Sequence, residues 1–136
     1  MKLIKNILLA TDSSKSSEYV LADALEMARI FQSEITLIYV MPKKIENKKA
    51  KELLKDFALK QLELFNTKIK DEGIKTSEPL LLNGDFSDKI VSTAERIHAN
   101  IIMIGGGGVL ENNVLQLGSN AEKIIKKSSK PVLVVK

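Results

Sequence analysis

Short apolar runs alternate with amphipathic segments along this chain of 136 residues, and this alternation restricts the fold more than any other feature. Runs of this kind are typical of strands buried on both faces of a sheet. They occupy residues 7–10, 35–40, 79–82, 101–104 and 131–135. Between them, apolar residues recur at helical spacing in four segments. With right-handed crossovers, this order predicts a doubly wound α/β fold, in which four helices cover a five-stranded parallel sheet. The length predicts a single domain spanning residues 1–136.

The composition excludes several classes of protein. The chain has no cysteine, so disulfides, thiolate catalysis and cysteine-ligated metals are excluded. No apolar segment approaches the roughly 20 residues of a membrane span, and no signal peptide is recognised at the start. The sequence therefore predicts a cytoplasmic protein with no membrane partner. The net charge is +4, but the lysines of residues 43–70 alternate with acidic residues, as on a solvated helix face. With aromatic residues at only 4%, no nucleic-acid partner is predicted.

A run of four glycines, residues 105–108, directly follows the fourth predicted strand, and Gly118 and Ser119 open the next helix. The first N–H groups of a helix have no intrahelical partner and attract anions, while glycine lets a backbone approach a ligand closely. The pattern predicts a phosphate-binding loop. Two alternatives stay open: the glycines form only a flexible loop, or Ser119 and Glu122 form a capping box in which Ser119 caps its own helix.

Thr11 and Asp12 directly follow the first predicted strand. In a doubly wound sheet, ligands bind beyond the carboxyl ends of the strands at the point where the strand order reverses. If the first and fourth strands are neighbours, the Asp12 turn and the glycine loop meet there. The alternative is that Asp12 only caps the first helix. Gly73 is predicted to end the second helix, and Asp85 or Ser87 to begin the third.

The spacing Gly105-x2-Gly108-x9-Gly118-Ser119 resembles the nucleotide loop of the universal stress protein family, in its nucleotide-binding branch. The resemblance extends over nearly the whole chain, from the Thr11-Asp12 turn to the last strand. It implies the adenine-nucleotide alpha-hydrolase-like fold with strand order 3-2-1-4-5. It also implies a regulatory or signalling module of the stress response rather than an enzyme.

The resemblance further implies a site for ATP or another adenine nucleotide with magnesium. Its residues would be Ala10, Thr11, Asp12, Val40, Ile104, Gly105, Gly108, Gly118, Ser119 and Asn120. Asp12 would lie at the ribose hydroxyls or at a metal carried by the phosphates, and the Val40 backbone would bind adenine. No metal is expected to be held by protein ligands alone. The family resemblance also implies a homodimer through the C-terminal strand Val132–Val135, which would offer unpaired backbone groups if it lies at the sheet edge.

Two departures from the family pattern keep other functions open. The loop of residues 109–117 contains Glu111 but no lysine or arginine, so the affinity for a triphosphate is expected to be lowered. AMP or ADP is then preferred, or magnesium is required; a dimeric interaction protein that binds no nucleotide is the alternative. No catalytic residue is predicted, because the single histidine, His98, falls in the last turn of the third helix and no Walker A motif occurs. Slow ATP hydrolysis stays open.

Overall fold

The computed structural model describes residues 3–12, 14–107, 110–111, 114–115 and 117–136, with the backbone alone given for 110–111 and 114–115. The helices are α1 (Ser16–Phe31), α2 (Lys48–Asp71), α3 (Phe86–Arg96) and α4 (Ser119–Lys127). The strands are β1 (Asn6–Ala10), β2 (Glu34–Met41), β3 (Leu80–Asn83), β4 (Ile101–Gly105), β5 (Leu110–Glu111), β6 (Val114–Leu115) and β7 (Val132–Val135).

The main sheet has five parallel strands in the order β3-β2-β1-β4-β7. This confirms the predicted order 3-2-1-4-5, with β7 as the fifth strand of the sheet, and the four predicted helices. The strand order reverses between β1 and β4, where Leu8 lies opposite Ile102. The antiparallel pair of β5 and β6 was not predicted, because strands of two residues are too short to show a periodic pattern.

Apolar side chains bury both faces of the sheet, as the uninterrupted apolar strands require. On one face, Ile7 and Leu9 of β1 pack with buried residues of α1 and α2, including Val20 and Leu62. On the other face, Leu8 packs with buried residues of α3 and α4. Consecutive side chains of a strand point to opposite faces, so a strand covered by helices on both sides has few polar positions.

Two helix ends lie where the sequence predicted them, and one does not. Asp85 is the N-cap of α3, as predicted, and Gly73, with φ +73°, lies just beyond the end of α2. His98 was predicted in the last helical turn, but α3 ends at Arg96 and His98 has φ +56° in the following turn. The N–H of Ala99 closes that turn on the Ala94 carbonyl at 2.9 Å. None of the helices in the described part of the chain has the length and apolar character needed to cross a membrane.

Candidate nucleotide site

A cleft of about 390 Å³ opens at the carboxyl ends of β1, β2 and β4. Its position follows from the topology, because the loops after β1 and β4 leave the sheet on opposite faces where the strand order reverses. The cleft is lined by Ala10, Asp12, Ser16, Ser17, Tyr39, Val40, Pro42, Leu54, Phe86, Ile104, Gly105, Gly107, Gly118, Ser119, Asn120 and Ala121.

The cleft brings together most of the residues that the sequence singled out. Only two of those residues are not among its lining. Gly108 lies outside the described residues. Thr11 is buried, with 1% of its surface exposed, and its Oγ1 atom contacts the α2 side chain of Gln61 at 3.1 Å. Thr11 therefore supports the Asp12 turn from the protein interior and is not among the residues that line the cleft.

The N-terminus of α4 forms one end of the cleft. The N–H groups of Ser119, Asn120 and Ala121 belong to the first helical turn, where no intrahelical acceptor exists, and all three residues line the cleft. The next amide, Glu122 N–H, already bonds within the helix, to the Gly118 carbonyl at 3.0 Å. With the positive end of the helix dipole, these amides form a site suited to an anion.

The predicted capping box at this helix is wrong. Gly118, not Ser119, is the N-cap of α4, and no side-chain hydrogen bond caps the helix. The Glu122 carboxylate does not reach back to the N-cap; it pairs with Lys126, one turn later, at 2.9 Å. The helix begins at Ser119 because Gly118 is held in an extended conformation (φ −65°, ψ 155°) by its N–H bond to the Gly106 carbonyl at 2.9 Å. The Ser119 hydroxyl is therefore not used as a cap.

Close packing explains why glycine occupies two of the motif positions. A Cβ atom at Gly118 would lie 2.7 Å from the carbonyl oxygen of Gly107, closer than such atoms approach each other. A Cβ atom at Gly105 would lie 2.9 Å from the Oγ of Ser16, at the start of α1. The glycines thus allow the β4 loop to pack between the N-termini of α1 and α4, which brings both termini to the cleft.

The Asp12 turn forms the wall opposite α4. Asp12 Oδ1 accepts hydrogen bonds from the Ser14 N–H at 2.9 Å and from the Ser17 hydroxyl at 2.9 Å, and it also contacts the Ser14 hydroxyl. Asp12 is not the N-cap of α1, since that position is Lys15, which makes no side-chain capping bond. Among the described residues, all of the hydrogen bonds to this carboxylate use Oδ1, and none uses Oδ2.

Apolar side chains form the remaining walls. Val40, Pro42 and Leu54 lie on the β2–α2 side, while Phe86 and Ile104 come from α3 and β4. A flat heteroaromatic group fits such a lining better than a charged one. Leu54 and Phe86 were not predicted as site residues, because their helical periodicity reads as ordinary core packing. One feature of the sequence could have pointed to Phe86 as a site residue: it is an apolar residue in the first turn of α3, directly after the N-cap Asp85.

The electrostatics of the cleft are unusual for a phosphate site. Of the described residues that line it, the single charged side chain is the Asp12 carboxylate. The sequence of residues 108–117 also contains no lysine or arginine. Anion binding in this cleft therefore depends on backbone N–H groups and the helix dipole. Within the described residues, no three histidine, aspartate or glutamate side chains are placed together as metal ligands.

The carboxylate of Asp85 fixes the start of α3 and so the position of Phe86 at the cleft. Its Oδ2 accepts from the Asp88 N–H at 3.0 Å and from the Ser87 hydroxyl at 2.8 Å. These two hydrogen bonds, the backbone bond first, hold the pKa of Asp85 below its usual value of 3.8. Lys127 of α4 bonds Asp88 at 2.7 Å, which raises the pKa of Lys127 and links the N-terminus of α3 to α4.

Asp85→Asn should make the protein less sensitive to acid. The pKa of Asp85 is lower in the folded than in the unfolded chain, so its contribution to stability is fully present above about pH 4, near the unfolded pKa. That contribution is lost as the pH falls through the folded pKa. Asparagine caps helices well but does not titrate. Thermal unfolding of both proteins from pH 7 to pH 2 should give a constant difference in Tm above pH 5, which shrinks below pH 4. A difference that stays constant throughout would contradict this role.

Comparison with known proteins identifies the family of this chain. A sequence profile of the universal stress protein family matches residues 3–136. The chain belongs to the universal stress protein family. A universal stress protein of Methanocaldococcus jannaschii, MJ0531, is 32% identical over 142 residues, which cover 98% of this chain and 83% of the relative.

Two solved structures of family relatives superpose closely on this universal stress protein. MJ0577 of Methanocaldococcus jannaschii has a TM-score of 0.86 and 31% identity, covering 99% of this chain and 97% of the other. A universal stress protein from Archaeoglobus fulgidus, solved in complex with dAMP, has a TM-score of 0.76 and 28% identity. The two chains are covered to 99% and 100%.

Proposed function

We propose that this universal stress protein binds an adenine nucleotide in the cleft and acts as a regulatory module in the stress response. The observation that carries the proposal is the cleft between the Asp12 turn and the first turn of α4, with apolar walls between them. The cleft thus offers a carboxylate, an apolar slot and unpaired N–H groups, which are the partners that ribose, adenine and phosphate require. The relative in complex with dAMP supports the same ligand class.

Each end of the cleft suits a different part of the nucleotide. Oδ2 of Asp12, which makes no hydrogen bond to the described residues, can accept hydrogen bonds from ribose hydroxyls, as carboxylates do in other nucleotide-binding folds. Adenine fits between Val40 and the apolar side chains around it, where strand-end backbone groups can bind its edge. Phosphate fits the amides of Ser119 and Asn120, and Gly105 lines the cleft at the end of β4.

The charge of the cleft favours nucleotides with few phosphates. With Asp12 as the one charged side chain of the described lining, no lysine or arginine offsets the charge of a β- or γ-phosphate. A missing unit charge at about 4 Å forfeits roughly 1 to 4 kcal/mol, depending on the local dielectric. The proposed ligand is therefore AMP or ADP, or ATP when magnesium neutralises its outer phosphates. Residues of this chain would hold the nucleotide, and the metal would come with it.

The proposed role is binding without efficient turnover. Asp12 and Tyr39 are the titratable side chains among the described residues that line the cleft. Oδ1 of Asp12 already accepts hydrogen bonds within its own turn. A general base must lie within hydrogen-bond reach of the nucleophile and be free to take its proton. In the proposed binding mode the ribose hydroxyls occupy Oδ2 of Asp12, at the end of the cleft opposite the phosphates, so any hydrolysis of ATP is expected to be slow.

Calorimetric titration with AMP, ADP and ATP, each with and without magnesium, tests the proposal directly. AMP should bind in the micromolar range, about −8 kcal/mol. Metal-free ATP should bind at least about fivefold more weakly than AMP, since the cleft lacks a cation for the outer phosphates. Magnesium should recover most of that loss for ATP and change little for AMP. Absence of heat and of any thermal shift at millimolar nucleotide would instead favour the non-binding interaction protein.

A homodimer through β7 belongs to the same proposal. The strand lies at the edge of the sheet, so one side of its backbone is available to a second strand. Exposed apolar surface lies beside it, because Ile30 of α1 is 70% exposed and lines a shallow depression with Leu133. A dimer around this edge would place two nucleotide clefts in one particle, which is a simple way to transmit nucleotide occupancy to a partner.

A further inference from the structure

One side chain of α2 contacts the Asp12 turn. Gln61 Nε2 donates to the Asp12 carbonyl at 2.8 Å and to Thr11 Oγ1 at 3.1 Å. The residue is half-buried, and its neighbour Leu62 is buried against the sheet. The helix is thus fixed at this point, and Gln61 extends from a rigid support to a turn 49 residues earlier in the chain.

The orientation of the Gln61 amide follows from the chemistry of its partners. A backbone carbonyl can only accept a hydrogen bond. The nitrogen of the amide must therefore face the Asp12 carbonyl, because the reverse orientation would place two acceptor oxygens in contact. Thr11 Oγ1 takes the second amide proton, and the buried Thr11 hydroxyl gains a partner in this way.

The backbone of Asp12 is consequently held by side chains of two helices, α1 and α2. From α1, the Ser17 hydroxyl accepts from the Asp12 N–H at 3.0 Å and also lies 2.8 Å from the Asp12 carbonyl. From α2, Gln61 binds that same carbonyl. Fixing the N–H and the C=O of one residue fixes the direction in which its side chain leaves the backbone, and so the position of Oδ2.

We infer that Gln61 is a positioning residue, whose hydrogen bonds to the Asp12 carbonyl and to Thr11 hold the carboxylate where it selects nucleotides by their ribose hydroxyls. The inference rests on the proposed function for its consequence in binding, but the positioning itself concerns the free protein. Gln61 is not among the described residues that line the cleft. Because α2 also supplies Leu54 to the cleft wall, one helix sets both the sugar and the base side of the site.

The experiment compares Gln61→Met with the native chain and with a matched control on the same helix. Methionine keeps the length and shape of glutamine but has no N–H to donate. The control is Asn66→Leu, which removes the bond from Thr76 Oγ1 to Asn66 at 2.8 Å. Thr76 bridges the start of β2, at the opposite end of the sheet from the cleft. Gln61→Met removes two hydrogen bonds of α2 and Asn66→Leu removes one, but only the first variant touches the Asp12 turn.

The first readout is selectivity between AMP and dAMP, measured by calorimetry. A hydrogen bond between a hydroxyl and a carboxylate is worth roughly tenfold or more in affinity, so the native chain and Asn66→Leu should prefer AMP by about that factor. In Gln61→Met the preference should fall below about threefold, while the affinity for dAMP changes little. Equal weakening of both nucleotides, or an unchanged preference, would show a merely structural role and overturn the inference.

The second readout needs no ligand and separates this inference from the proposed function. Amide hydrogen exchange should be faster in Gln61→Met at the N–H groups of Asp12 and Ser14, which bond within the turn, and unchanged there in Asn66→Leu. If no nucleotide binds the native chain but exchange responds in this way, the proposed function fails and the positioning role stands. Unchanged exchange at both amides overturns the role. Gln61→Glu, which also lacks the donor, carries the same test if Gln61→Met does not fold.

Discussion

Gly118→Val should strongly weaken nucleotide binding while the sheet and the helices stay folded. A Cβ atom at this position would lie 2.7 Å from the oxygen and 2.9 Å from the carbon of the Gly107 carbonyl. Both are backbone atoms, so no side-chain rotation can relieve the contact. Either the β4 loop or the N-terminus of α4 must move, and the bond from Gly118 N–H to the Gly106 carbonyl is then lost.

The expected loss of affinity is about 5- to 150-fold, because overpacking of this kind costs roughly 1 to 3 kcal/mol and acts on the amides that would hold the phosphate. Calorimetry with AMP measures the loss, and circular dichroism checks that the fold is kept. Binding within about threefold of the native chain would contradict this packing role.

Gly107→Ala is the matched control for that substitution. Gly107 has φ +62°, which alanine adopts only with strain, yet an added Cβ would meet nothing within 4 Å. The control therefore introduces backbone strain of about 1 kcal/mol or slightly more without a steric clash. A loss of roughly tenfold or less is expected, since the loop can keep its path. If both variants lose binding equally, the effect would come from loop conformation and not from the close approach at Gly118.

The strands and the parallel sheet could be predicted from the sequence because they depend on long patterns, whereas the strand order was implied by the resemblance to the universal stress protein family. The run of residues 101–104 is apolar at every position, which is typical of a strand covered on both faces. Asp85 was identified as a helix start because a cap acts within three residues, on the Asp88 N–H. Local chemistry of this kind is readable from the chain without knowledge of the tertiary structure.

The details of the site depend on contacts between distant segments, which no local pattern reveals. Ser119 and Glu122 have the capping-box spacing, but Gly118 is held by Gly106, twelve positions earlier, so the helix begins with a different cap. Gln61 looks like any polar residue on a helix face until the fold places it beside Asp12. The position of Gly108 lies outside the described residues, so its place in the glycine loop stays a prediction.

Val134→Pro should convert the proposed dimer into a folded monomer. The backbone of β7 shows which groups face outward. The Pro131 carbonyl accepts a hydrogen bond from the N–H of Ile102 in β4. The Val135 carbonyl accepts one from the N–H of Gly106, directly after β4. Because strand groups alternate in direction, the N–H and C=O of Val134 point away from the sheet. Proline at this position removes an edge donor and leaves the β4 ladder intact, which is why proline is tolerated on edge strands.

Leu81→Pro makes the equivalent change at the opposite edge and serves as the control. Gly84 N–H bonds to the Met41 carbonyl at 2.9 Å, so by the same alternation the N–H of Leu81 points out of the sheet. Light scattering at about 100 μM, where even a weak micromolar dimer is populated, should find the native chain and Leu81→Pro as dimers. Val134→Pro should be a monomer that still unfolds cooperatively. A native chain that is monomeric at this concentration would mean that there is no such dimer. A Val134→Pro variant that stays dimeric would mean that the dimer contact lies elsewhere. Loss of the dimer in both variants would mean that proline acts through general destabilisation and not through the β7 edge.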